Sequence, residues 1–251
     1  MVLSKTLEGK TCLVTGASRG IGRGIATELA NVSADVIVNY RSSEAEAHEV
    51  VDEIEDMGQR AMAAQCDVSE YQEVEAMIES VHEAMGNIDV LVNNAGMNID
   101  KVFKQLTPED WQRVLDVNLT GTFNCTHCCY DDIVEAEDGR LINISSVVGQ
   151  QGNYGQANYA TTKSGLFGFT RTIALEMAQS GSTANCVAPG FVKTDMLDGV
   201  PDRVREQILE RVPLDRFAEV EDVSGIVRFV ASPESSYMTG QILAVNGGME
   251  W

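Results

Sequence analysis

Short apolar runs alternate with longer amphipathic stretches along the whole chain. The apolar runs occupy 12–15, 36–39, 61–65, 90–92, 141–144, 184–187 and 242–245. The stretches between them, 23–31, 45–57, 71–85, 108–136, 159–180 and 220–231, carry helical spacing. Strands separated by helices of 10–20 residues imply right-handed βαβ units and a mostly parallel sheet, so the expected class is α/β. Repeats, low-complexity tracts and Gly/Ser linkers are missing, and a single domain over 1–251 is the economical reading. One long stretch breaks the rhythm, 191–216, charged and interrupted by Gly199, Pro201 and Pro213. A segment of that length in a compact domain is expected to act as a lid over a site.

Composition narrows the setting. Among 251 residues, 38 are Asp or Glu and 18 are Lys or Arg, a net charge of −20. Such a surface repels nucleic-acid phosphates and anionic lipid, which excludes both as expected partners. It also repels itself unless salt screens it, with a Debye length of roughly 3 Å at 1 M. With only six Lys among the cations, the composition points to a halophile with a salt-rich cytoplasm. No apolar run approaches the roughly 18 residues of a membrane span. Residues 1–10 lack the apolar core of a secretory signal, so the expected location is cytoplasmic and the six cysteines are expected to be reduced. The cluster Cys125-Thr126-His127-Cys128-Cys129 lacks a second Cys/His pair at finger spacing, so buried small residues are expected there and no metal.

The first strand runs into Thr15-Gly16-Ala17-Ser18-Arg19-Gly20-Ile21-Gly22, after which a helix opens. Glycines allow a tight turn and close approach of backbone to a pyrophosphate, and the helix N-terminus offers free N–H donors. The expected ligand is a dinucleotide. The second strand ends Asn39-Tyr40-Arg41-Ser42-Ser43, with no carboxylate to hold a ribose 2′-hydroxyl, while Asp35 stands at its other end. Arg41, Ser42 and Arg19 suit a 2′-phosphate, so NADPH/NADP+ is the expected cofactor.

After the fifth strand come Ser145 and Ser146, and thirteen residues beyond Ser146 stands Tyr159, followed four later by Lys163. Positions i and i+4 share a helix face, which sets phenol beside ammonium. The cation is expected to lower the phenol from its usual value near 10 toward the working pH of a general acid. A serine hydroxyl at the sheet edge would bind the substrate oxygen. These groups suit reduction of a carbonyl.

On the motifs Thr15–Gly22, Asp67-Val68, Asn93-Asn94-Ala95-Gly96, Val117-Asn118-Leu119, Ser146, Tyr159-x-x-x-Lys163 and Pro189-Gly190, the chain resembles the short-chain dehydrogenase/reductases over essentially its whole length. That resemblance implies a doubly wound Rossmann domain with a seven-stranded parallel sheet in order 3-2-1-4-5-6-7, and a homotetramer. It implies Asn118, Ser146, Tyr159 and Lys163 as catalytic residues, with Ser146 rather than Ser145 in the serine role. It implies a cofactor site of Gly16, Ser18, Arg19, Gly20, Ile21, Gly22, Tyr40, Arg41, Ser42, Asp67, Val68, Asn94, Ala95, Gly96, Tyr159, Lys163, Pro189, Gly190, Val192 and Thr194. Within the family, the segments Gly152–Tyr159, Val187–Met196 and Val245–Met249 look like the 3-oxoacyl thioester reductases. Gln150 and Tyr154 lean toward acetoacetyl-CoA reductases of polyhydroxyalkanoate synthesis, with a 3R product. The expected substrate contacts are Ser146, Gln150, Tyr154, Gln156 and Phe191. Lys193, Arg203 and Arg205 are candidates for CoA phosphates, and Met249 and Trp251 for burial between subunits. The alternatives are a 3-oxoacyl-[acyl-carrier-protein] reductase of fatty acid synthesis, an NADP-dependent sugar or secondary-alcohol dehydrogenase, and a catalytically silent NADPH-binding protein.

Overall fold

In the computed structural model, which describes residues 6–250, seven parallel strands form one sheet in the order β3-β2-β1-β4-β5-β6-β7. They are β1 (Thr11–Val14), β2 (Asp35–Tyr40), β3 (Ala61–Gln65), β4 (Val90–Asn93), β5 (Arg140–Ile144), β6 (Thr183–Pro189) and β7 (Ile242–Val245). The expected single α/β domain and strand order are present. Side chains alternate across the pleat. Cys12, Val14, Val36, Val38, Val90 and Val92 enter one core, with α1 (Gly20–Ala30), α2 (Glu44–Asp56) and, from the C-terminal part of the chain, Val220–Ala231. Leu13, Ile37, Leu91 and Leu141 enter the other, with α3 (Tyr71–Met85) and the helices that follow β4 and β5. The inner strands are buried on both faces and read as largely apolar runs, whereas the edge strands β3 and β7 are partly exposed.

The stretch 108–136 is a helix interrupted by a wider turn. It comprises α4 (Pro108–Leu115), a π-type turn (Asp116–Thr120) and α5 (Gly121–Glu135). Thr107 caps α4 reciprocally with Asp110, and Pro108 occupies its first position. Such π turns recur at functional sites, and Asn118 lies inside this one. After β5 comes a short helix absent from the periodicity, α6 (Val147–Gln151), then α7 (Ala157–Met177). The 191–216 segment carries α8 (Asp195–Asp198) and α9 (Asp202–Leu209), and the last helix is α10 (Val220–Ala231). The site-bearing loops all leave the C-terminal ends of the parallel strands, where open α/β sheets bind ligands.

Candidate active site

The glycine turn is pinned from three sides. Thr15 Oγ1 accepts the backbone N–H groups of Asn94 and Ala95, each at 3.0 Å. Asn94 Nδ2 donates back to the carbonyls of Thr15 and Gly16 at 2.9 and 3.1 Å. Asn39 Oδ1 accepts Gly16 N–H at 3.1 Å, while its amide nitrogen donates to the carbonyls of Ala64 and Cys66. Asn39 thus ties the ends of β2 and β3 to the turn after β1, a role that its neighbours in sequence do not announce.

The glycines leave room that a side chain would fill. At Gly22 a Cβ would lie 2.2 Å from the Gly16 carbonyl oxygen, and at Gly16, with φ +62°, 3.0 Å from Ala95 Cα. A Cβ on Gly20 would touch the Thr194 methyl at 3.5 Å, so the loop after β6 closes on the turn after β1. A backbone cradle at the start of the 11-residue α1 fits the pyrophosphate of a dinucleotide.

At the far end of the cradle, Arg41 is exposed and lies 3.8 Å from the Asp67 carboxylate. Arg41, Asp67 and Ser69 line a surface pocket with Gln112, Arg113 and Val117 from the far side. Ser42 is exposed beside Arg41, as is Arg19 at the start of α1. Tyr40 and Val68 are packed into the two cores, and Val68 sits against Gly121. Pro189 and Val192 are buried near Gly190, and Asp35, at the opposite end of β2, binds Arg60 instead.

The reacting end gathers β5, α6 and the first turns of α7. Ser145 is buried and spends its hydroxyl on the Lys163 carbonyl at 2.7 Å. Ser146 caps α6, its oxygen accepting Val148 N–H at 3.1 Å, which leaves its proton free to donate. Ser146 faces the Tyr159 phenol and acts to lower its pKa. Lys163 Nζ lies 5.6 Å from the Tyr159 ring centre and donates to the Ile144 carbonyl at 2.8 Å. Both Lys163 Nζ and Asn118 Oδ1 approach to 3.4 Å of the point where a Gly96 side chain would begin. Asn118 is saturated: its amide bonds both backbone groups of Met97, at 2.8 and 2.9 Å, and Thr162 Oγ1 at 3.1 Å. Its side chain therefore clamps the loop after β4 onto α7, and Thr162 is a partner that motif reading does not supply.

The charge balance differs from the sequence expectation. Burial pushes the Tyr159 phenol up to about 12, against a lowering by the Ser146 hydroxyl and with a further rise from Asp100. Burial also brings Lys163 down to about 8. An ammonium held by a backbone carbonyl, with the ring centre 5.6 Å away, does not outweigh the desolvation of both groups.

Of the expected substrate contacts, Tyr154 is exposed and Phe191 lines an apolar groove with Val212 and Leu214. Gln150 stands four residues after Ser146 with its buried Oε1 lacking a partner. Gln156 is bound to Asp100. Arg211, just after α9, donates to Gln151 at 3.2 Å, which joins the 191–216 segment to α6. Lys193 is paired with Glu219. In the cysteine cluster, Cys125 and Cys129 are buried in the core, Cys128 is half-buried, and His127 bonds Tyr71 at the surface. Met249 is half-buried, and Trp251 lies outside the described residues. No described helix is long and apolar enough to cross a membrane.

Residues 16–250 match the family described as Enoyl-(Acyl carrier protein) reductase. The chain belongs to the short-chain dehydrogenase/reductase family. Its relatives include the Staphylococcus aureus 3-oxoacyl-[acyl-carrier-protein] reductase FabG, 46% identical over 240 residues, spanning 96% of this chain and 98% of that protein. The Synechocystis 3-oxoacyl-[acyl-carrier-protein] reductase is 46% identical over 244 residues, 97% and 98% of the two chains. FabG of Aquifex aeolicus is 43% identical over the same span, with the same coverage.

Proposed function

We propose that this short-chain dehydrogenase/reductase reduces 3-oxoacyl thioesters to 3-hydroxyacyl thioesters with NADPH. The observation that carries the reading is the convergence of Ser146, Tyr159 and Lys163 beside the glycine cradle. When bound, the nicotinamide cofactor supplies the hydride. Ser146, its acceptor side taken by Val148, donates to the ketone oxygen and holds it against Tyr159. Tyr159, protonated at neutral pH, gives its proton to the oxygen as negative charge builds there. Lys163 adds the positive potential that eases this transfer and can bind the ribose hydroxyls. Asn118 keeps the loop after β4 against α7. Arg41, Ser42 and Arg19 receive the 2′-phosphate, and the 191–216 segment closes over the acyl group.

The names of the relatives support an acyl-carrier-protein thioester, as in fatty acid synthesis. A second reading, reduction of acetoacetyl-CoA to (R)-3-hydroxybutyryl-CoA for polyhydroxyalkanoate synthesis, is favoured by the acidic surface, which repels an acidic carrier protein. We infer a cytoplasmic homotetramer; Phe123 on α5 and Leu175 on α7, 48% and 79% exposed, suit burial between copies. The test is nucleotide oxidation with acetoacetyl-carrier protein, acetoacetyl-CoA and simple ketones. The carrier thioester is expected to have the highest kcat/KM, and NADPH to be preferred over NADH. Comparable values for simple ketones would overturn the thioester reading, and an NADH preference the role of Arg41.

A pH profile checks the lysine. Lys163, lowered to about 8, is charged below that value and loses its proton above it. Reduction is therefore expected to fall as pH rises through about 8. Lys163→Arg, whose guanidinium stays charged, should lose that descending limb whatever its absolute rate. An unchanged limb in the variant would assign the descent to another group.

A further inference from the structure

The loop that follows Gly96 is stitched to the start of the catalytic helix. Gln156, at the N-terminus of α7, donates its amide to both oxygens of Asp100 at 3.0 and 3.1 Å. Asn158 Nδ2 donates to the Ile99 carbonyl at 3.1 Å, and Lys101 N–H to the Gly155 carbonyl at 2.9 Å. Asn98 steadies the same carboxylate at 2.9 Å, and Asn153 steadies Gln156 at 2.9 Å. Asn158 also accepts the backbone N–H of Tyr159 at 2.8 Å, so the stitching ends on the residue that carries the phenol. On the other side, Lys101 Nζ is bound to Asp110 at 2.6 Å, which anchors the loop to the capped start of α4.

We propose that Asp100, clamped by Gln156, is a positioning residue that latches the 98–101 loop onto the first turn of α7 and holds the Tyr159 phenol in its reactive place. Three independent contacts join the 98–101 loop to the start of α7, and the central one uses a carboxylate whose partners are amides. Lys101, its neighbour, is taken up by Asp110. The groups that face Tyr159 are Ser146 from before α6, Lys163 from its own helix with Cys186 of β6 behind it, and Asp100 from the loop. The Asp100 charge raises the phenol, which gives the latch an electrostatic signature that a purely structural clamp lacks. Asp100 is exposed, so that signature should shrink in salt.

The proposal rests on Tyr159 as the proton carrier. It is tested on the full-length protein by oxidation of a 3-hydroxyacyl thioester, in which the phenol must give up its proton before it can act as base. Asp100→Asn keeps an acceptor for Gln156 and removes the charge. On the rising limb of the pH profile it is expected to run about threefold faster than the wild type at a fixed pH, and the ratio should fall toward one in molar salt. Lys163 is common to both proteins, so the ratio isolates Asp100. Asp100→Ala, which also removes the clamp, should lower kcat about tenfold with little change in cofactor KM. Gln156→Met, which keeps the charge and breaks the clamp, should lose a similar factor in kcat. A ratio of one for Asp100→Asn, or wild-type kcat in both clamp-breaking variants, overturns the proposal. Failure of the parent reading looks different: Tyr159→Phe would then still turn over.

Discussion

Tyr159→Phe is expected to lower kcat by about 10²–10⁴-fold, the contribution of a positioned general acid, with cofactor affinity within about threefold of the wild type. The phenylalanine ring keeps the packing of α7 and removes one hydroxyl. Loss of the hydroxyl's polar contacts costs folding stability only about 1 kcal/mol. Chemistry and binding should therefore separate: a fluorescence titration with NADPH stays near normal while turnover collapses. A variant that kept a tenth of wild-type kcat would remove Tyr159 as proton donor. The raised phenol sharpens the expectation. Near neutral pH the proton is on the oxygen, the form needed for reduction, and the same shift disfavours the reverse reaction until the pH is raised.

Gly22→Ala carries the second large effect, on the other end of the site. The added methyl would stand 2.2 Å from the Gly16 carbonyl oxygen and 2.5 Å from Asn94 Nδ2. Neither can retreat easily, because Gly16 is pinned by Asn39 and Asn94 holds the carbonyls of the turn. Overpacking of this kind costs about 1–3 kcal/mol, spent here on opening the cradle. Cofactor affinity is expected to fall at least about tenfold, with a lower melting temperature. Gly225→Ala is the matched control: nothing lies within 4 Å of its would-be methyl, and an alanine in α10 should leave both quantities unchanged or slightly raise the melting temperature. Equal behaviour of the two variants would show that the tight turn does not govern binding.

What motif reading missed has a common cause. Asn39, Thr162 and Asp100 act through bonds to residues 23, 44 and 56 positions away, and no local spacing encodes those partners. Ser146 over Ser145 is a choice the family resemblance makes, although two adjacent hydroxyls are equivalent as text. In the fold one is consumed by the Lys163 carbonyl, and the other keeps its proton beside Tyr159. The stretch 108–136 reads as one helix in sequence because periodicity over a long window does not register the one widened turn at Asp116–Thr120.

The chain by itself determined the parallel sheet, the helices, the glycine turn and the Tyr159–Lys163 pair, since a strand's pleat, a helix's pitch and a turn's need for glycine are local properties. Only the tertiary structure decided which way the phenol and the ammonium are shifted. Their i, i+4 spacing argues for mutual stabilisation as ions. Packing beneath the sheet edge strips water from both, and desolvation depends on everything that surrounds a group rather than on its neighbours in the chain.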